Sequence, residues 1–255
     1  MPRTPTEWHQ RFKLQSQWTK STRDYIFQRI ESSPSAHILE VGCGTGAILG
    51  DLLQSQVEHI IGIDLNFDFI KQAVSTNPNL HLNVADANML PFDSGIFDCS
   101  FCHFLLMWVA NPAIIINEMK RVTKPGGSVL AFAEPDYGGR IDYPEPLSIL
   151  NEWQIEALKN QGANPFMGRK LKALFHQAGI EEIEVGVIGA QWTGDINQEE
   201  LDSEWEIIRA DIETLNNKSE AAKTSDEIRK IDLAAWALGE RILFVPTFYA
   251  LGRVK

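Results

Sequence analysis

The stretch His37-Ile38-Leu39-Glu40-Val41-Gly42-Cys43-Gly44-Thr45-Gly46-Ala47-Ile48 constrains the fold of this chain more than any other. Ile38 to Val41 reads as a short buried strand. Gly42, Gly44 and Gly46 follow at alternate positions, and Ala47 opens a helix. A strand, a tight glycine turn and a helix N-terminus form a site for a nucleotide-like ligand, because the turn aims backbone N–H groups at it. Glycine suits such a turn, since a Cβ would block both the sharp bend and close approach of a ligand. Gly42-x-Gly44-x-x-Ala47 also satisfies the dinucleotide fingerprint, so this stretch alone leaves the ligand open.

The chain around it alternates strands and helices. Residues 6–30 read as helical, with Ser21-Thr22 as a cap between two pieces, and Ser32-Ser33-Pro34-Ser35 as a loop. A helix over Ala47–Ser55 leads to a second strand, His59–Asp64. Asp64 ends that strand eighteen residues beyond Gly46. Nucleotide folds place an acid near there to accept two hydrogen bonds from a ribose diol. An N-cap for the next helix is the competing role of Asp64.

Leu80–Val84 alternates as a third strand and runs into Asp86-Ala87. A carboxylate there can accept from an exocyclic amine and the next N–H can donate to a ring nitrogen, although Asp also favours an Asx turn. Ile96–Cys102 reads as a fourth strand, leaving at His103. A helix over 113–122 and the turn Lys124-Pro125-Gly126-Gly127 precede a fifth strand, 128–133. The stretch Glu134–Pro144 lies past its C-terminal end, where open parallel sheets bind ligands.

Helices are expected at 147–160 and 170–178, the second stopped by Gly179. A strand at 183–188 leads to Trp192. Residues 197–243 read as an inserted helical pair with a capping box, Thr224-x-x-Glu227. Phe244–Val254, interrupted by Pro246, reads as the last strand. The order gives an α/β, doubly wound architecture.

Four linked segments now carry a resemblance. They are Glu40-x-Gly42-x-Gly44-x-Gly46, Asp86-Ala87 before Leu90-Pro91-Phe92, Phe97-Asp98 at the fourth strand, and Lys124-Pro125-Gly126-Gly127. Together they resemble the class I S-adenosylmethionine (SAM)-dependent methyltransferases, in the small-molecule, type 11 or ubiquinone/menaquinone-type group. The resemblance covers about residues 36–190. It implies a Rossmann-like seven-stranded sheet, mostly parallel with an antiparallel last strand. It implies one domain over 1–255: an N-terminal helical cap (1–35), a core (36–190), the helical insertion (197–243) and the last strand (244–255).

It further implies SAM as cofactor, held by Glu40, Gly42, Cys43, Gly44, Gly46, Asp64, Leu65, Asp86, Ala87, Cys102 and His103. His103, Glu134 and Asp136 are the candidate bases for acceptors that must lose a proton. Trp18, Trp108, Tyr137, Arg140 and Tyr143 are candidate acceptor contacts.

Composition bounds the partners. Asp and Glu number 34 against 23 Lys and Arg, a net charge of −11. A nucleic-acid substrate needs a basic face, so this balance argues against one. The cysteines are Cys43, Cys99 and Cys102. An odd, sparse set without a signal peptide points to free thiols in the cytoplasm. Cys99-x-x-Cys102 lacks the second pair a zinc site would need, so no metal is expected. No apolar run has membrane-spanning length. Monomer and homodimer both stay open. Two other readings share the glycine turn: an NAD(P)-dependent oxidoreductase, and a non-catalytic SAM-binding domain.

Overall fold

The computed structural model describes residues 3–30, 35–53, 59–191 and 198–255. The expected Ser32–Pro34 loop, the end of the helix over Ala47–Ser55 and Trp192 lie outside the described residues. The chain forms two compact units.

The first unit comprises Met1–Glu134, Arg169–Ile188 and Phe248–Lys255. Its N-terminal helices are α1 (Pro5–Trp18) and α2 (Lys20–Arg29). Thr4 caps α1 in a capping box with Glu7. The break falls at Thr19, not at the expected Ser21-Thr22. The reason is local: the Thr19 hydroxyl is buried and bonds Ser16 O, so it closes one helix as the next begins.

Parallel strands follow: β1 (His37–Val41), β2 (His59–Asp64), β3 (His81–Val84), β4 (Phe97–His103) and β5 (Thr123–Pro135). Helices α3 (Ala47–Leu52), α4 (Phe67–Thr76) and α5 (Pro112–Val122) connect them. After α7 (Leu171–Gln177), numbered past a helix of the second unit, come β7 (Glu181–Gln191) and β8 (Ile242–Arg253). The strand order is β3-β2-β1-β4-β5-β8, with β7 also paired to β8. Gly126 N donates to Val254 O and Val254 N to Gly127 O, a reciprocal exchange that runs the chain's end antiparallel to β5. These are the seven strands expected, and a short strand of the second unit on the start of β8 makes the sheet eight-stranded among the described residues.

Strands in such a sheet are covered on both faces, which is why β1 and β4 read as continuous apolar runs. Ile38, Leu49, Ile60, Phe101 and Phe132 form the core, with Ile26 of α2 packed in. Each such side chain contributes roughly 1.5–3 kcal/mol by burial. Gly62 in β2 has no room for more: a Cβ there would collide with Leu49, and would lie 2.8 Å from Leu82 Cδ2 and 2.9 Å from Cys43 Sγ. Gly62→Ala is expected to destabilise the chain by about 1–3 kcal/mol by overpacking, read as a lower urea midpoint.

The expected turn Lys124–Gly127 is built into β5 as a bulge. Phe97 pairs with Thr123 but Cys99 with Ser128, so the extra residues are left out of the ladder. Gly126 takes φ +77° there.

The second unit comprises Pro135–Gly168 and Gly189–Thr247. It takes in the expected insertion and also much of the stretch before it. Short β6 (Ile141–Tyr143) pairs antiparallel with the start of β8, Ile141 with Phe244 and Tyr143 with Ile242. The sequence gives no strand signal there, because only three residues pair. Helices α6 (Ile149–Asn160), α8 (Gln198–Ile212) and α9 (Lys218–Ala237) share a core of Leu150, Trp153, Trp205, Ile212 and Ile228. The Thr224–Glu227 capping box does not form. Thr224 lies inside α9 and bonds Glu220 O at 3.1 Å, while α9 starts after Asn217.

Candidate functional site

The C-terminal ends of β1, β2 and β4 meet in the first unit, and the expected cofactor residues meet with them. Val41 pairs with Ile63 on one side and Cys102 on the other, so Gly42, Asp64 and His103 leave adjacent strands together. Ile63 O accepts from both Gly42 N and Cys43 N, at 2.8 and 2.9 Å, which bends the chain back over β2. Gly42 takes φ +74° and Gly46 φ +73°, a region L-residues rarely adopt. A Cβ on Gly42 would also lie 2.8 Å from Leu105 Cδ1, so the glycine serves packing as well as conformation.

Asp64 is tied to this loop. Its Oδ2 accepts from Gly44 N and its Oδ1 from Asn66 N, both at 2.8 Å. The cap of α4 is Asn66, whose side chain accepts from Asp68 N and Phe69 N. The carboxylate keeps lone pairs for a diol, since each oxygen has about two acceptor sites. Leu65 beside it is 71% exposed, unusual for leucine and consistent with an apolar ligand edge. Asp86 makes the Asx turn, but both bonds, from Asn88 N and Nδ2 at 2.8 Å, fall on Oδ1. Ala87 beside it is half-buried.

Glu40 is 2% exposed, and its Oε2 has no hydrogen-bond partner among the described residues. Burial pushes its carboxyl well above the usual range; Arg23 opposes the shift and Asp64 adds to it. An orphaned buried acid at a ligand loop calls for a cation or a donor, because an unpaired buried acceptor is costly. The α-ammonium of SAM is both, so these residues fit that cofactor.

Helix α1 lies against the loop. Phe12 stacks on Trp8, meets Phe69 edge-on, and approaches within 3.2 Å of where a Gly44 Cβ would stand. His9 Nδ1 bonds Thr45 Oγ1 at 2.9 Å. Trp18, near the end of α1, is half-buried with the Arg11 guanidinium 5.1 Å above its ring. Trp108 is 48% exposed.

The cysteines are free and buried. Burial pushes the Cys99 thiol up to about 12, and Cys43 and Cys102 well above the ordinary range, which keeps them as thiols. Residues three apart on a strand face opposite sides, so Cys99 and Cys102 cannot pair. Cys102 is fully buried, which leaves its backbone as the part able to meet a ligand. No metal-binding cluster of His, Cys, Asp and Glu occurs among the described residues.

The three candidate bases separate. His103 ends β4 with Nε2 3.0 Å from Thr19 Oγ1, and its proton affinity is pushed down to about 3 by burial, then by Arg23. It is a neutral imidazole.

Glu134 is fully buried and accepts from Leu105 N at 3.0 Å, Leu106 N at 2.7 Å and Met107 N at 3.0 Å. Burial raises it to about 8 against the pull of those bonds. Both oxygens are occupied by backbone donors, so Glu134 clamps the turn after β4. The expectation that it serves as a base is corrected on that ground. It braces a strained place: Phe104 and Ala133 have φ of +50° and +55°.

Asp136 belongs to the second unit. It is 2% exposed and accepts from Gly138 N at 3.0 Å, holding the 137–139 turn.

Tyr137 and Tyr143 are also in the second unit, half-buried and 54% exposed respectively. Arg140, expected at the acceptor, is committed elsewhere. Its Nε and Nη2 bond Asp142 at 2.6 and 3.0 Å, and its Nη1 bonds Gln154. Asp142 also takes Arg241 Nη2 at 2.7 Å, and Arg241 Nε reaches Asp232, which holds Trp205 Nε1 at 2.8 Å. This buried network ties β6 to α8 and α9.

Sequence reasoning missed Arg23 and Thr19. A signal was present: Thr19, Arg23, Ile26 and Ile30 step by four, three and four, and all are buried. An arginine on an apolar stripe needs buried partners.

A methyltransferase-domain family model matches residues 39–131. An uncharacterized 37.1 kDa protein in a Streptomyces fradiae transposon is 31% identical over 167 residues, 63% of this chain; the chain spans 48% of that relative's length. O-methyltransferase rstn1 of Aspergillus nomiae is 30% identical over 166 residues, 62% of this chain and 70% of that protein. Among solved structures, phosphoethanolamine N-methyltransferase 2 of Haemonchus contortus, in complex with SAM, is similar at a TM-score of 0.55 and 17% identity. The likeness covers 92% of this chain and 53% of that one. With the glycine turn, Asp64 and the seven-stranded order already in place, the chain belongs to the class I SAM-dependent methyltransferase family.

Proposed function

We propose that this chain transfers the methyl group of SAM to a small-molecule acceptor. The observation that carries this reading is the pairing of Asp64 with Gly44 N beside the orphaned, buried Glu40 oxygen. A ribose diol and an α-ammonium satisfy both. Asp64 takes the ribose hydroxyls, Glu40 the ammonium, and the Gly42–Gly46 backbone encloses the amino-acid end. Asp86 and the Ala87 N–H take the adenine edge, with Leu65 against its face. Cys102, through its backbone, and His103 flank the sulfur end.

When bound, SAM supplies a methyl already activated by its sulfonium. What the protein must add is alignment of a nucleophile and exclusion of water. The acceptor's proton leaves as the new bond forms, and His103 is the residue of this unit placed to guide it. Trp18 and Trp108 are proposed as acceptor contacts. Tyr137 and Tyr143 enter on their position past β5 in the sequence.

The net charge of −11 supports an acceptor other than nucleic acid. No helix among the described residues is long and apolar enough to cross a membrane. The free, buried thiols support a cytoplasmic location. Nothing in the reading requires a second copy.

Calorimetric titration with SAM, its demethylated product S-adenosylhomocysteine (SAH), and NAD tests the proposal. Binding of SAM and SAH without NAD is expected. Binding of NAD without SAH would replace the reading with an oxidoreductase. SAH binding with no methyl transfer across a broad acceptor panel would favour a non-catalytic SAM-binding domain.

A further inference from the structure

Behind His103 runs a buried line of polar groups that reaches the cofactor site through that ring and through the charge of Arg23 on Glu40. Thr19 Oγ1, at the α1–α2 junction, stands 3.0 Å from His103 Nε2. Arg23, one turn further on, donates from Nη1 to Thr19 Oγ1 at 2.6 Å and to Ser16 O at 2.5 Å. Its Nη2 pairs with Asp51 Oδ2 of α3 at 2.9 Å. Thr19 and Arg23 are each 1% exposed.

Proton counting gives this line a direction. A threonine hydroxyl has one hydrogen and two lone pairs, and here it has three polar neighbours. Arg23 can only donate. Ser16 O, 3.2 Å away, can only accept. Were the hydroxyl to point at His103, its contact with Ser16 O would hold no proton. Every contact is satisfied when Thr19 donates to Ser16 O and accepts from both Arg23 and a His103 Nε2–H. The ring nitrogen left as acceptor is then Nδ1.

We infer that Thr19 and Arg23 are positioning residues that hold His103 as the neutral Nε2–H tautomer, so that Nδ1 accepts the hydrogen bond of the group to be methylated. The inference rests on the methyltransferase reading for its acceptor, but the tautomer belongs to the ligand-free protein. Asp51 balances the buried guanidinium and fixes its angle. A nitrogen held this way directs the acceptor's X–H bond along one line, which aligns the lone pair that attacks the methyl carbon. As the acceptor's lone pair forms the X–C bond, its X–H proton passes to His103 Nδ1 and on to solvent, while the sulfur–carbon bonding pair stays on sulfur and the demethylated product leaves.

The test is long-range nitrogen–proton NMR of the full chain, labelled with nitrogen-15 and free of ligand. Signals of His103 are assigned by their loss in His103→Gln. Wild type is expected to show a protonated Nε2 and an unprotonated Nδ1. Thr19→Val removes the hydroxyl at nearly constant shape and should give a mixed or reversed tautomer; Thr19→Ser should restore the original. SAH affinity of folded Thr19→Val should fall by less than about tenfold, since Thr19 reaches the cofactor only through His103.

A wild-type ring protonated at Nδ1 overturns the proposal even if Thr19→Val fails to fold. An unchanged tautomer in folded Thr19→Val, or a tenfold loss of SAH affinity, overturns it as well. Absence of SAH binding by wild type would instead refute the methyltransferase reading, leaving the ring measurement to judge the tautomer by itself.

Discussion

Asp64→Ala should weaken SAH binding by more than tenfold, about 1.4 kcal/mol for each tenfold. Two losses add. The ribose hydroxyls lose a charged acceptor, worth about 1.5–3 kcal/mol. Gly44 N loses its 2.8 Å bond to Oδ2, so the loop surrenders the contact that fixes it against β2. Calorimetry reads the affinity and circular dichroism confirms the fold. Asp64→Asn keeps one acceptor oxygen and should fall between. Wild-type affinity in a folded Asp64→Ala variant would remove Asp64 from the site.

The second large effect is on stability. Glu134→Ala leaves the N–H groups of Leu105, Leu106 and Met107 without their acceptor. Leu106 and Met107 are buried, at 0% and 3% exposure, so water cannot easily take its place. An unsatisfied buried donor costs about 1–3 kcal/mol, which puts the whole change at about 3–5 kcal/mol. Urea unfolding measures it. Glu134→Gln keeps one acceptor oxygen and should lose less. A loss under about 1 kcal/mol for Glu134→Ala would mean that the clamp is dispensable and would reopen Glu134 as a base.

The cofactor side of the site is written in short segments, which is why it could be read. Gly42, Gly44 and Gly46 announce a backbone that other residues rarely adopt. Asp64 announces itself by its distance from them. In both cases the chemistry depends on local chain geometry. The polar groups behind the site are different, because their meaning lies in partners far along the chain. Glu134 looks the same in sequence whether its oxygens await a proton or hold three N–H groups. Arg140 looks free until Asp142 folds back on it and Gln154 arrives from α6.

Arg23 is the sharper case. Its partners come from α1, the α1–α2 junction and α3, and only the packing of α2 on the sheet brings them together. The three-residue β6 exists because β8 offers it an edge. Thr224 and Glu227 have capping-box spacing, but a helix that already begins at Lys218 has no use for a cap seven residues in.

The pairing of the chain's last residues with β5 sets an order of events during synthesis. Residues 129–133 of β5 are buried and apolar in the finished sheet. The bonds between Gly126, Gly127 and Val254 close one side of that strand with residues made more than a hundred positions later. Until those residues leave the ribosome, the nascent chain carries β5 with a bare, sticky edge. The strand that shields this edge, β8, is made more than a hundred residues after the one it covers, so β5 depends on a distant stretch of the same chain to hide its backbone.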